Sequence, residues 1–159
     1  LRQDTVFKGG KLHLPRVQST QTRNHHLEDD TMSRKVITAK NAPAAAGAYS
    51  HAIVANGFVF CSGQVGFDPE TGELVEGGIV AQTEQALKNI KAVLEAAGSS
   101  MKSVVKTTVF IRHVEHFAEM NRAYRQAFSD EPPARSTVPG VDLPVDALVE
   151  IEAIAVLEA

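Results

Sequence analysis

The side chains in this 159-residue sequence best suited to chemistry are an arginine beside prolines and a pair of acids inside an apolar run. Pro133-Ala134-Arg135-Ser136-Thr137 puts Arg135 at the start of a strand, directly after a proline-stiffened loop. A planar guanidinium can grip a carboxylate through two parallel charge-assisted hydrogen bonds, each contributing about 1.5–3 kcal/mol. Exposed arginines also commonly form weak surface ion pairs, and spacing by itself favours that plainer reading. Val149-Glu150-Ile151-Glu152-Ala153-Ile154-Ala155-Val156 sets two acids in what otherwise reads as a core strand. A carboxylate there must find a partner or be partly neutralised, which suits it to positioning water or moving protons. A wet rim between subunits explains both acids equally well. Tyr49 follows a flexible loop at Gly47-Ala48; its phenol could orient a substrate or simply pack.

Other candidates are weaker. Cys61, in Cys61-Ser62-Gly63-Gln64, ends an apolar run with no neighbouring histidine to lower its pKa, so it reads as a small buried hydrophobe. As the single cysteine it has no disulfide partner and lacks the paired spacing of a zinc site, which fits a reducing compartment. The glycine-containing stretches lack the Walker lysine, so no phosphate loop is expected. His13 and His25-His26 sit in a polar stretch and read as solvated rather than metal-binding. Neither a metal nor a cofactor is expected.

The elements that must position these residues follow from periodicity. Val36-Ile37 reads as a short strand. His51–Ala55 and Phe58–Ser62 are apolar runs joined by Asn56-Gly57, the pair favoured in a type I′ hairpin. Asp68-Pro69-Glu70-Thr71-Gly72-Glu73 is a turn cluster. Val80, Thr83, Leu87, Ile90, Leu94 and Ala97 recur in steps of three and four, which predicts a long one-sided helix capped by Gly98. Ser103–Ile111 reads as a strand rich in Val and Thr, and Phe117, Met120, Tyr124 and Phe128 mark a second helix that Pro132-Pro133 ends. Strands at Ala134–Val138 and Leu148–Leu157 complete the order β-β-β-α-β-α-β-β. That order is an α+β domain whose two helices, each with one apolar face, lie side by side on one face of a single sheet. In the last strand Val149, Ile151, Ala153 and Ala155 point one way and Glu150, Glu152, Ile154 and Val156 the other. Neither face is plainly polar, so the uncovered one is expected to meet another subunit.

Residues 1–33 show no sustained period and read as a poorly ordered leader outside a domain at 34–159. An artificially appended or upstream-translated origin is favoured over an organelle transit peptide, which the Glu28-Asp29-Asp30 run weakens. The expected location is the cytoplasm, with an organelle as the alternative. Residues 1–33 carry five Lys/Arg against four Asp/Glu, leaving eleven against fifteen in residues 34–159. An acidic body argues against general nucleic-acid binding, which draws its affinity from cations on phosphates. No run approaches the roughly 20 apolar residues of a spanning helix.

Five ordered stretches resemble the reactive-intermediate deaminase (RidA/YjgF) family: residues 41–50, Cys61-Ser62-Gly63-Gln64, residues 105–110, Pro133-Ala134-Arg135-Ser136 and Glu150-Ile151-Glu152-Ala153-Ile154-Ala155. The resemblance implies a chorismate-mutase-like α+β fold, a homotrimer with clefts between subunits, and cofactor-free hydrolysis of 2-iminobutanoate and 2-iminopropanoate to 2-oxo acids and ammonia. It implies that Arg135 binds the substrate carboxylate and Glu150 activates water. Tyr49 and Asn121 would be pocket residues, with Ser62 and Gly63 as floor. Thr137 stands where some members carry a cysteine and is expected to belong to the substrate site through a backbone group that contacts water; Ala48 replaces a usual proline, and Pro139-Gly140 is unusual after the arginine strand. Rival functions are a non-catalytic 2-oxo-acid-binding regulator, which would not need Glu150, a stress holdase, and an endoribonuclease, which the acidic body disfavours.

Overall fold

The computed structural model describes residues 34–158; the leader read over residues 1–33 lies outside them. The element order is β1 (Lys35–Ile37), β2 (Ala52–Ala55), β3 (Phe58–Val65), α1 (Gly78–Ala97), β4 (Val104–Ile111), α2 (Phe117–Ala127), β5 (Ala134–Pro139) and β6 (Val149–Val156). The β-β-β-α-β-α-β-β reading holds. One six-stranded sheet runs β1-β2-β3-β6-β4-β5. Every pairing is antiparallel except β4 with β5, which α2 joins as a parallel crossover.

Local chemistry explains the connections. Asn56 (φ 49°) and Gly57 (φ 76°) both take the left-handed backbone of a type I′ turn. Gly98 (φ 84°) ends α1, its N–H donating to the carbonyls of Leu94 and Glu95. The 68–73 turn closes through Asp68 N–H to the Glu73 carbonyl at 2.9 Å, with Asp68 Oδ1 accepting from the Glu70 N–H at 2.7 Å.

The core lies between the sheet and the two helices. Val59 and Cys61 of β3, Val109 and Ile111 of β4, and Val149, Ile151, Ala153 and Ala155 of β6 are buried on that face. They meet Ile79, Leu87, Ile90, Val93 and Leu94 of α1 and Met120 and Tyr124 of α2. Burying each of Ile90, Leu94, Ile111 and Ile151 stabilises the fold by about 1.5–3 kcal/mol. Two helical residues differ from the sequence reading. Val80 is only partly buried while Ile79 takes the core position, and Phe117 is exposed at the start of α2.

The opposite face carries no element of the described residues. Alternation places Phe58, Phe60, Ile154 and Val156 there, and Phe58, Phe60 and Val156 are each exposed. The Phe58 and Phe60 rings stand 6.4 Å apart, centroid to centroid.

Candidate active site

Glu150 is the second residue of β6 and projects from the open face, since its neighbours Val149 and Ile151 are buried against the helices. It stands opposite Val65 of β3, just past an irregularity where the β3–β6 register shifts between Cys61 and Gln64. Such a bulge re-aims side chains beside it. Gly63 lies within it, and a Cβ there would overlap the Glu150 carboxylate. Glycine at position 63 is therefore what gives the acid its place. Burial raises the proton affinity of Glu150 above the usual carboxylate range, and the charge of nearby Glu152 raises it further. Among the described residues no Lys, Arg or His forms an ion pair with Glu150.

Around this carboxylate is a cavity of about 380 Å³, lined by Tyr49, Ser62, Gly63 and Glu150 with Pro144 and Val145. Its size falls within the range of small-ligand sites. The wall carrying Tyr49 is tied down twice. Ser62 Oγ donates to the Ser50 carbonyl at 2.7 Å, and the Ser62 N–H donates to the His51 carbonyl at 3.0 Å. The buried His51 ring bridges the Ala39 N–H and the Pro43 carbonyl, each at 2.9 Å. Tyr49 itself is half exposed, with its hydroxyl accepting from the Ala46 N–H at 3.3 Å.

Arg135 belongs to a different cavity, of about 330 Å³, which it lines with Asn121, Tyr124 and Pro133. Its Nη2 donates to Asn121 Oδ1 at 2.8 Å. The guanidinium carbon lies 4.5 Å from the Tyr124 ring centroid and 6.0 Å from that of Phe117. Cation–π attraction holds the charge without neutralising it, and Tyr124 is fixed by a 2.7 Å hydrogen bond with Thr107 Oγ1. Among the described residues no carboxylate pairs with Arg135. The guanidinium thus keeps donors free for an anion. Thr137 shares the Arg135 face of β5 by alternation, opposite Val109, but is in neither set of lining residues.

The two clusters are apart in one chain. Arg135 stands beside Thr107 of β4, and Glu150 beside Phe110 of the same strand. Two inter-strand steps and three residues of strand put their Cα atoms about 14 Å apart. Their side chains leave opposite faces, Arg135 toward α2 and Glu150 toward the open side.

Known proteins resemble most of the described residues. The family model described as Endoribonuclease L-PSP matches residues 39–157. The chain belongs to this family, the RidA/YjgF proteins. Rat 2-iminobutanoate/2-iminopropanoate deaminase is 45% identical over 123 residues, covering 77% of this chain and 90% of the relative. Reactive Intermediate Deaminase A, chloroplastic, of Arabidopsis thaliana is 44% identical over 152 residues, covering 96% of this chain and 81% of the relative. The crystal structure of the YjgF gene product from E. coli superposes with a TM-score of 0.74 at 42% identity, covering 78% of this chain and 99% of that one. The fold is thus the chorismate-mutase-like α+β fold of RidA/YjgF proteins.

Several residues that shape these RidA-type clusters escaped the sequence reading. Tyr124 reads only as a helix core position, yet it is the platform for Arg135. Gln82 and Asn89 are buried amides of α1. Gln82 Oε1 accepts from the Leu148 N–H at 2.8 Å, and Asn89 Nδ2 donates to the carbonyls of Val65 and Phe67 at 3.1 and 2.9 Å. Together they fix the two strand ends that flank Glu150. Their signal was position, since both fall on the apolar face of α1. Cys61 is buried and its thiol is pushed up to about 12, mainly by burial, the opposite of the lowered thiol that favours a nucleophile.

Proposed function

We propose that the protein hydrolyses reactive imines of small 2-oxo acids, 2-iminopropanoate and 2-iminobutanoate, to the 2-oxo acid and ammonia. The observation that carries this reading is that the chain holds both a partly buried carboxylate and an aromatic-held guanidinium, each lining its own cavity and each without an ion-pair partner among the described residues. Related proteins of this family carry the imine deaminase name.

Arg135 binds the substrate carboxylate through the donors that Asn121 leaves free. Glu150 accepts a proton from water as the water oxygen bonds to the imine carbon and the C=N π pair moves to nitrogen. Starting from the protonated imine, the resulting neutral carbinolamine collapses when Glu150 returns that proton to nitrogen: the C–N bond breaks, ammonia leaves, the hydroxyl oxygen's electrons form the carbonyl, and the hydroxyl proton passes to Glu150, which releases it to solvent. A raised proton affinity makes Glu150 a better acceptor than an ordinary carboxylate while leaving it able to return the proton. The imine carbon is already electrophilic, so positioning and proton transfer suffice without a covalent nucleophile.

A separation of about 14 Å on opposite sheet faces keeps one chain's Arg135 and Glu150 from one small substrate. We infer that the site is shared between copies in a homotrimer, the Glu150 cavity of one subunit meeting the Arg135 cavity of the next. Support comes from the exposed apolar face bearing Phe58, Phe60 and Val156, which association would cover. Residues 1–33 are proposed to act as an organelle-targeting segment rather than an appended one. The reach of the match to the chloroplastic relative, over 152 residues, supports this.

The test is decay of 2-iminopropanoate and 2-iminobutanoate, generated in situ, with wild type, Arg135→Ala, Glu150→Ala and no protein. Faster decay with wild type that both variants lose supports the reading. Wild-type decay equal to the blank, with 2-oxo acid still bound through Arg135, replaces it with a binding protein.

A further inference from the structure

The loop between β5 and β6 holds two consecutive non-glycine residues in left-handed backbone, Val145 (φ 50°, ψ 33°) and Asp146 (φ 58°). A β-branched residue is among those that region tolerates least. Such a conformation persists only where its surroundings over-determine it, and it concentrates at ligand-contacting sites. Here the surroundings are identifiable. Arg112, just after β4, donates from Nη1 to Asp146 Oδ1 at 2.8 Å and from Nη2 to the Leu143 carbonyl at 3.1 Å. Its own N–H donates to the Leu148 carbonyl at 3.0 Å, and the Ala147 N–H closes the turn onto the Pro144 carbonyl at 3.0 Å. The backbone is thus pinned on both sides of Val145.

Val145 does not fill the core. It is 60% exposed, and with Pro144 it forms part of the wall of the cavity that contains Glu150 and Tyr49. Glycine or asparagine would hold this turn with less strain, so what valine adds is an apolar surface facing the ligand space. We propose that Val145 is the wall that sets which side-chain size of 2-imino and 2-oxo acid fits beside Glu150, with Arg112 as the positioning residue that holds it there. This rests on the deaminase reading for its turnover arm and stands independently for binding. The wall admits methyl and ethyl side chains and rejects branched ones.

The test measures two quantities on wild type, Val145→Ala, Val145→Gly, Arg112→Gln and Arg112→Lys. One is the ratio of kcat/KM for the imine of 4-methyl-2-oxopentanoate to that of pyruvate. The other is the ratio of dissociation constants of those two 2-oxo acids by calorimetry. Val145→Ala and Val145→Gly are expected to shift both ratios toward the branched ligand by about tenfold, the discrimination an apolar pocket gains from a methylene or two. Arg112→Gln should shift them in the same direction, Arg112→Lys less, and Arg112→Gln should add nothing in a Val145→Ala background. Unchanged ratios in an active Val145→Ala enzyme overturn the wall. A shifted binding ratio without wild-type turnover keeps the wall and removes the deaminase reading. An equal Arg112→Gln shift with and without Val145 overturns the positioning role.

Discussion

The Glu150 and Arg135 cavities solve opposite electrostatic problems with different materials. Glu150 is placed mainly by strand backbone, a bulge in β3 and a glycine that makes room, with the side-chain amides of Gln82 and Asn89 fixing the flanking strand ends. Partial burial and the charge of nearby Glu152 make Glu150 hold its proton more tightly. Arg135 is placed by side chains of α2, which stack against and orient the charge without cancelling it. In the proposed reaction one half would exchange a proton and the other receive an anion. Within one chain the sheet separates the two, and the proposed homotrimer would join them across a subunit boundary.

Breaking either half should have the largest effect. Glu150→Gln keeps the shape and removes the base, so kcat/KM for imine hydrolysis should fall about 10²–10⁴-fold, mostly in kcat. Arg135→Ala should act mainly through KM, and steady-state kinetics on in-situ imines separates the two. Gly63→Ala should come next. The added methyl must displace the Glu150 carboxylate, so activity should drop about tenfold or more, whereas 2-oxo-acid binding by Arg135 weakens less.

A smaller effect is expected at the Arg135 platform. Tyr124→Phe keeps the ring but removes the bond to Thr107, which should cost about 1 kcal/mol of stability by chemical denaturation with only a modest rise in KM.

The smallest effects are in pH dependence. The proposed mechanism needs ionised Glu150, so the rising limb of activity should lie above the ordinary carboxylate range. Glu152→Gln removes a charge that raises Glu150 and should move that limb to lower pH. Because the folded carboxyl binds its proton more tightly than the unfolded one, stability from this group declines as pH rises from the unfolded pKa through the folded one and is then constant. Glu150→Gln should therefore melt higher than wild type at neutral pH and no higher below that window.

What the sequence made legible was largely local. Asn56-Gly57 and Gly98 announce their turns because only a few residues accept positive φ cheaply, and the alternation of β6 separates Glu150 from Ile151 at once. The resemblance named the site residues but did not show how they divide within a chain. That division depends on β6 inserting between β3 and β4, a long-range pairing that no local pattern encodes. The face taken by Arg135 was equally hidden, since β5 is short and mostly exposed and its sidedness comes from contact with α2. Val145 gave no signal because Arg112, which pins its loop, lies more than thirty residues away.

The proposed shared site is tested most directly by mixing the two impaired variants, Arg135→Ala and Glu150→Gln, unfolding and refolding them together, and measuring imine hydrolysis at substrate concentrations below KM. In randomly assembled closed trimers about a quarter of the clefts would receive an intact Glu150 from one subunit and an intact Arg135 from the next. The account predicts recovery of about a quarter of wild-type activity, absent when either variant is refolded alone. Mixed assemblies that form yet remain as inactive as their parents would contradict it and place both residues' work within a single chain.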